Sequence, residues 1–156
     1  MFPEHGNFMT SIPETFLDLF QKPALANLAT LMADGGPQVT PIWIDYDGHY
    51  LLVNSAQGRV KNRNMARRAK VAVNIIDPEN PYRYLMIRGV VADITEDGAQ
   101  EHLDRLSHRY LGIPYPDDWR APQEVRQIFK IAIERVVTRT IASEAFFQAR
   151  QKTLTF

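Results

Sequence analysis

Residues 38–54 read QVTPIWIDYDGHYLLVN, and the reading of this stretch decides the fold. Gln38 to Tyr46 sets Val39, Ile42 and Ile44 in an extended pattern, and Asp47-Gly48 then supplies the residues a tight hairpin turn demands. His49 to Asn54 brings in Leu51, Leu52 and Val53 as a returning strand. Upstream, Ala24 to Ala33 is a short apolar strand closed by the turn Asp34-Gly35-Gly36-Pro37. Three antiparallel strands with tight turns are therefore expected, as the start of a meander or a small barrel.

Further out, Ser11-Ile12-Pro13-Glu14 reads as a capping box that opens a helix through Phe16, Leu17 and Phe20 and ends before Pro23. Arg59 to Ala69 reads as a short helix and Val71 to Ile76 as a buried strand. Tyr82 to Ile94 is a long strand, with Gly89 marking a bulge or a barrel bend. Thr95 is expected to cap a helix bearing Ala99, Leu103, Leu106 and Tyr110 on one face, stopped by Gly112 and Pro114. Two last strands are expected at Ile128–Ile133 and Val136–Ile141. No repeat or linker divides residues 1–156, so one domain is expected, with a core from about 14 to 141. Helices set among antiparallel strands argue for a β-barrel or an α+β architecture over a doubly wound sheet.

Composition narrows the function classes. The 156 residues carry 18 Lys+Arg against 18 Asp+Glu, and there is no cysteine, which excludes disulfides, thiolate metal sites and a cysteine nucleophile. No apolar run approaches the roughly 18 residues of a membrane span. The N-terminus lacks a signal-peptide pattern, so a cytoplasmic protein without membrane contact is expected. The neutral total conceals a segregation: from Gly48 to Ile76 there is no acidic residue, while Arg59, Lys61, Arg63, Arg67, Arg68 and Lys70 all fall there. A local cationic cluster on a neutral chain points to a discrete anionic ligand rather than to nucleic acid. A solvated helix face is the competing reading of the same charges.

Asn54 to Asn64 carries the strongest local signal. A strand ends in polar residues, Gly58 permits a tight turn, and a helix starts with Arg59 and Lys61. Backbone N–H groups at a helix start favour an anion that those two cations would neutralise. Walker and dinucleotide fingerprints are absent, as are HExxH and GxSxG. His5, His49, His102 and His108 read as ordinary surface histidines, and no metal site is expected. Tyr110, Tyr115 and Trp119 are candidates to line a cavity or simply to pack. Chemistry without metal, thiol or triad falls to an organic cofactor.

Three segments, in order, carry a resemblance: Ala26–Leu31, Asp34–Trp43 and Arg59–Asn64. Together they resemble the pyridoxamine 5'-phosphate oxidase-like split β-barrel family, and more closely its branch of flavin/deazaflavin oxidoreductases that use coenzyme F420. The similarity runs from about Phe16 to about Ile141. It implies an FMN-binding split β-barrel, a homodimer with cofactor sites at the subunit interface, and a small-molecule substrate. By the same resemblance Arg59 and Lys61 hold the cofactor phosphate, and Asn64 supports that loop. Gln38, Thr40, Pro41 and Ile42 lie beside the ring with Trp43 next to them, and Asn54 and Ser55 lie near the ring and ribityl chain. Tyr82 and Tyr84 fall where a partner subunit approaches. Gly112–Gln127 does not map onto the family, Phe146–Phe156 has no counterpart, and no catalytic proton donor stands out.

The implied activity is hydride transfer from reduced F420 to a small organic acceptor. The alternatives are an FMN-dependent oxidase or reductase, and a non-catalytic carrier of flavin, deazaflavin or tetrapyrrole. Arg67, Arg68 and Lys70 would suit the polyglutamate tail of the deazaflavin.

Overall fold

The computed structural model describes residues 9–153, so the expectations for His5 and for residues 154–156 fall outside the described residues. Seven strands form: β1 (Ala26–Leu31), β2 (Pro37–Ile42), β3 (Asp45–Tyr46), β4 (Tyr50–Ala56), β5 (Lys70–Ile76), β6 (Tyr84–Thr95) and β7 (Arg126–Arg139). Between and after them lie α1 (Val60–Arg67), α2 (Ala99–Leu111) and α3 (Ser143–Thr153). Every strand pairing is antiparallel, in one sheet of order β2-β1-β5-β6-β7-β4-β3. The mainly β architecture with flanking helices is the expected one.

The sheet order shows why this is a barrel. β2 and β3 are the two edges, yet only Trp43 and Ile44 separate them in the chain. Neighbouring strands stand about 4.8 Å apart, so in a flat sheet those edges would lie far beyond the reach of two residues. The sheet must curl until its edges meet. The extended stretch from Gln38 to Tyr46 is accordingly not one strand, and β2 pairs with β1 while β3 pairs with β4. No meander links β2 to β4. The chain can leave one edge because α2 serves Ile44: its N–H donates to Tyr110 Oη at 3.2 Å, and its carbonyl accepts from Arg109 Nη1 at 3.2 Å. Both backbone groups are thus satisfied outside the ladder.

Alternation along the strands sorts the faces. Ala26 and Leu28, Val71, Val73 and Ile75, and Leu85 and Ile87 point inward and join Leu19, Ile44, Leu51, Met65, Phe129 and Ile131 in one core. Three further expectations are corrected. β7 is a single 14-residue strand, because its register to β6 continues through Ile133 and Val136 with a bulge opposite Gly89. Gly98, not Thr95, precedes α2, and Thr95 Oγ1 instead accepts from the Asp97 N–H at 3.1 Å. Glu14–Phe20 is a 3-10 helix after extended Pro13, with no side-chain cap.

That first helix is held from outside. Arg83, just before β6, reaches Asp18 Oδ1 at 2.6 Å, Asp77 Oδ2 at 2.7 Å and the Thr15 carbonyl at 2.6 Å. Lys22 adds contacts to Asp18, Asp77 and Glu79. The Arg83 hydrogen bond, assisted by Lys22 and opposed by burial, brings Asp18 from 3.8 down to about 2. A depressed carboxyl adds stability that is complete above its unfolded value and lost as pH falls through its folded one. Acid unfolding is therefore expected to draw on Asp18 between the ordinary 3.8 and about 2. Asp18 is partly exposed, so screening trims the effect. Circular dichroism against pH should show Arg83→Met unfolding at higher pH than wild type, with the gap shrinking in salt.

Candidate cofactor site

Asn54 is buried two residues before the end of β4, and the β4–β7 register sets Ala56 opposite Arg126. Gly58 then turns with φ +90°, a value open to glycine, and α1 begins at Val60. These three elements, with the end of β2 and the loop after α2, enclose a cavity of about 300 Å³. Its wall includes Pro41, Ile42 and Trp43 from the β2 end, Asn54 from β4, and Arg59 and Lys61 from the start of α1. So six of the residues assigned to the cofactor from the sequence share one cavity, together with Tyr115 and Trp119, two of the three aromatic candidates.

Lys61 is the unusual member. It is only 8% exposed, and none of the salt bridges among the described residues involves it or Arg59. Burial pushes its ammonium below the usual lysine range, and the like charges of Arg59 and Arg126 push the same way. A buried cation without a counter-charge is costly, and an anion in the cavity would remove the cost. The remaining cations of the cluster are used differently. Arg63 Nη1 donates to the Gly58 carbonyl at 2.6 Å and closes the turn. Arg68 Nη2 donates to the Ala33 carbonyl at 3.2 Å from the far end of α1. Arg67, Arg68 and Lys70 do not line the cavity.

The other residues singled out lie behind or away from this wall. Asn64 Nδ2 donates to Thr30 Oγ1 (3.0 Å), Thr30 Oγ1 donates to Gln38 Oε1 (3.1 Å), and Gln38 Nε2 donates to Thr40 Oγ1 (3.1 Å). This chain of side chains fastens α1 to β1 and β2. Ser55 is fully buried, its Oγ without a hydrogen-bond partner among the described residues. Tyr82 is 47% exposed, and neither it nor Tyr84 belongs to the cavity lining.

The structure also adds residues. Arg126, 6% exposed, donates from Nε to Asn54 Oδ1 at 2.8 Å and from Nη1 to Glu124 at 3.1 Å. Asn54 Nδ2 in turn donates to the Ala99 carbonyl at 2.8 Å and meets His102 Nδ1 at 3.2 Å. Arg126 and Ala99 fix the amide orientation, so His102 Nδ1 accepts and Nε2 carries the proton toward Asp45 Oδ2 at 3.2 Å. His102 is therefore no surface histidine: it is fully buried, because the apolar face of α2 carries it against β4. Burial opposes charge on Asp45, but the bond from His102 and the Arg109 guanidinium prevail and hold the carboxyl below its usual range. A buried polar line thus runs from Asp45 to the cavity wall. The cue in the sequence was faint: one histidine at the core spacing of α2, at position 102 between Ala99 and Leu106.

Leu25, Leu106, Tyr115 and Trp119 complete the lining. Trp43 stacks on Tyr110 at 5.3 Å, and Tyr115 stands edge-on to both Trp43 (6.1 Å) and Trp119 (6.0 Å). The cavity is cationic along α1 and aromatic along the loop after α2. Among the described residues no acidic or histidine cluster could hold a metal, and no helix is long and apolar enough to cross a membrane.

The family model described as pyridoxamine 5'-phosphate oxidase matches residues 12–140. No curated protein matches the chain. Among solved structures, an F420 reductase is 34% identical, over 81% of this chain and 98% of its own, with a TM-score of 0.70. HutZ, a heme storage protein from Vibrio cholerae, is 18% identical over 87% of this chain and 99% of its own, with a TM-score of 0.62. HupZ of Group A Streptococcus is 22% identical over 81% and 93%, with a TM-score of 0.58. The last two share the fold.

Proposed function

The chain belongs to the pyridoxamine 5'-phosphate oxidase family, and from that premise we propose that it is an oxidoreductase that uses the deazaflavin coenzyme F420 to reduce a small organic acceptor. One observation carries the reading: Lys61, buried and without a counter-ion, stands beside Arg59 in a cavity walled by Trp43 and Asn54. Such a site asks for an anion attached to something flat. The F420 reductase at 34% identity supports the deazaflavin over FMN.

Arg59 and Lys61 would take the phosphate, while Pro41, Ile42 and Trp43 flank the ring and Asn54 offers its polar edge. Gln38, Thr40 and Asn64 brace those walls from behind through their hydrogen-bonded chain, and Ser55 is buried beside Asn54. When bound, F420 supplies the hydride. The chain's own residues would hold the ring, and Asn54 keeps Arg126 fixed at 2.8 Å, so their part is orientation and electrostatics.

Fluorescence titration with F420 and with FMN, and mass spectrometry of ligand released from purified protein, test the proposal. F420 is expected to bind more tightly. Tighter binding of FMN moves the reading to an FMN enzyme, and a released tetrapyrrole moves it to a carrier.

The same reading includes a homodimer. Val39 (61% exposed), Met86 and Val137 stand on the outer face of β2, β6 and β7, around a shallow cavity of about 510 Å³ that Ala29 and Ala72 also line. A second copy would cover this apolar face, and an obligate C2 contact commonly buries about 2,000 Å² or more. Light scattering at micromolar concentration should give twice the chain mass of 17.9 kDa. Met86→Lys combined with Val137→Lys should give the monomer mass, because paired like charges on a buried face oppose association.

A further inference from the structure

The loop after α2 carries a feature that the packing of the fold does not use. Trp119 ends the short 3-10 turn Asp117–Trp119 and is 53% exposed, yet its ring lies at the cavity wall, where it meets the edge of Tyr115. Its neighbours hold it in place. Arg120 donates to Gln100 Oε1 at 2.6 Å and lies 3.6 Å from Asp104 and 3.5 Å from Asp117. The Arg120 guanidinium covers the Tyr115 ring at 5.1 Å, and the Arg126 guanidinium approaches the same ring at 5.8 Å. The Tyr115 N–H adds a bond to Asp104 at 3.4 Å. An exposed tryptophan on a clamped loop is a preorganised contact surface, with its ordering cost already met in the free protein.

The cavity is divided by chemistry. Asn54, Arg59, Lys61 and Arg126 enter from β4, α1 and β7, with the Arg126 guanidinium already paired to Asn54 and Glu124, whereas Tyr115 and Trp119 enter from the loop and bring no carboxylate to the lining. We infer that Tyr115 and Trp119 form the acceptor subsite: a platform for the flat, uncharged, apolar part of the molecule to be reduced, apart from the cation pair that takes the cofactor. The rings of Tyr115 and Trp119, edge to face with centroids 6.0 Å apart, offer apolar surface that suits an acceptor of one or two rings. The inference rests on the proposed function for the name of the second ligand, but not for the platform itself.

The test uses 2-naphthol, a neutral, flat, redox-inert bicycle, in equilibrium dialysis against protein saturated with oxidised F420. Trp119→Ala is expected to weaken naphthol binding about tenfold, from lost ring contact, and Trp119→Phe to restore most of it. The F420 dissociation constant should stay within about twofold, because the substitution spares Arg59 and Lys61. Three results overturn the inference: unchanged naphthol affinity in Trp119→Ala, an equal loss of F420 affinity, or competition between naphthol and F420. If neither F420 nor FMN binds, the proposed function fails, and dialysis of the unloaded protein still decides the platform. There a tenfold loss in Trp119→Ala upholds it and no loss overturns it. Both tryptophans of the chain, Trp43 and Trp119, line this cavity, so quenching of intrinsic fluorescence gives an independent reading of occupancy.

Discussion

Lys61→Met is expected to weaken cofactor binding while raising the melting temperature of the unliganded protein. A lost charge-assisted contact to phosphate costs about 1.5–3 kcal/mol, or about ten- to a hundredfold in affinity. In the free protein Lys61 is largely buried, and its ammonium has no counter-charge and faces the like charges of Arg59 and Arg126, so an apolar side chain of similar length relieves a penalty. The sign follows from the depressed value. A lysine that is harder to protonate when folded detracts from stability at neutral pH, and the loss fades as pH rises toward 10.5. Melting curves of wild type should therefore gain on that limb, and those of Lys61→Met should not. Each kcal/mol gained corresponds to about 2–4 °C in a chain of this size. Arg59→Ala, at an exposed position, should weaken binding with little change in melting temperature. Lys61→Met that binds as wild type does would make the cluster a solvated face.

Gly89→Ala is expected to destabilise the fold by about 1–3 kcal/mol. At this bulge β6 crosses β7 so closely that a Cβ would lie 2.5 Å from the Ala132 carbonyl oxygen and 2.6 Å from Ile131 Cγ2. Ile131 can turn its side chain, but the carbonyl belongs to the ladder and cannot yield without breaking register. Urea unfolding should show a lower midpoint with an unchanged slope. Gly36→Ala is the matched control, since a Cβ there meets only the Asp34 carboxylate, at 3.0 Å, on an exposed turn. Equal midpoints for the two variants would show that β6 can shift to admit the methyl group.

What was legible in the sequence was local. The Asp47-Gly48 turn is visible because Asp47 Oδ1 accepts from the N–H groups of His49 and Tyr50, at 2.8 and 2.7 Å, within its own four residues. The bend at Gly89 shows because only a missing side chain allows it. The Arg59–Lys61 pair is legible because charge depends on composition, and no acid lies between Gly48 and Ile76.

The remainder was decided by pairing between distant parts of the chain. Gln38 to Tyr46 has the periodicity of one strand, and nothing in it records that Tyr110 and Arg109, more than 60 residues on, will satisfy Ile44 and let the chain change edges. Arg126 has no meaning as a cavity residue until β7 lies against β4 and brings it to Asn54, 72 residues away. His102 reads as solvated until α2 buries it between Asn54 and Asp45. Trp119 becomes a wall of the cavity only when Arg120 fastens its loop to α2. The sequence by itself determined the turns, the bend and the position of the uncompensated charge, each set by conformational preferences and charges within a few residues. Closure of the sheet, the buried polar line and the seat of the aromatic loop against α2 were decided by the tertiary structure alone, because hydrogen bonds and burial between distant segments leave no period in the chain.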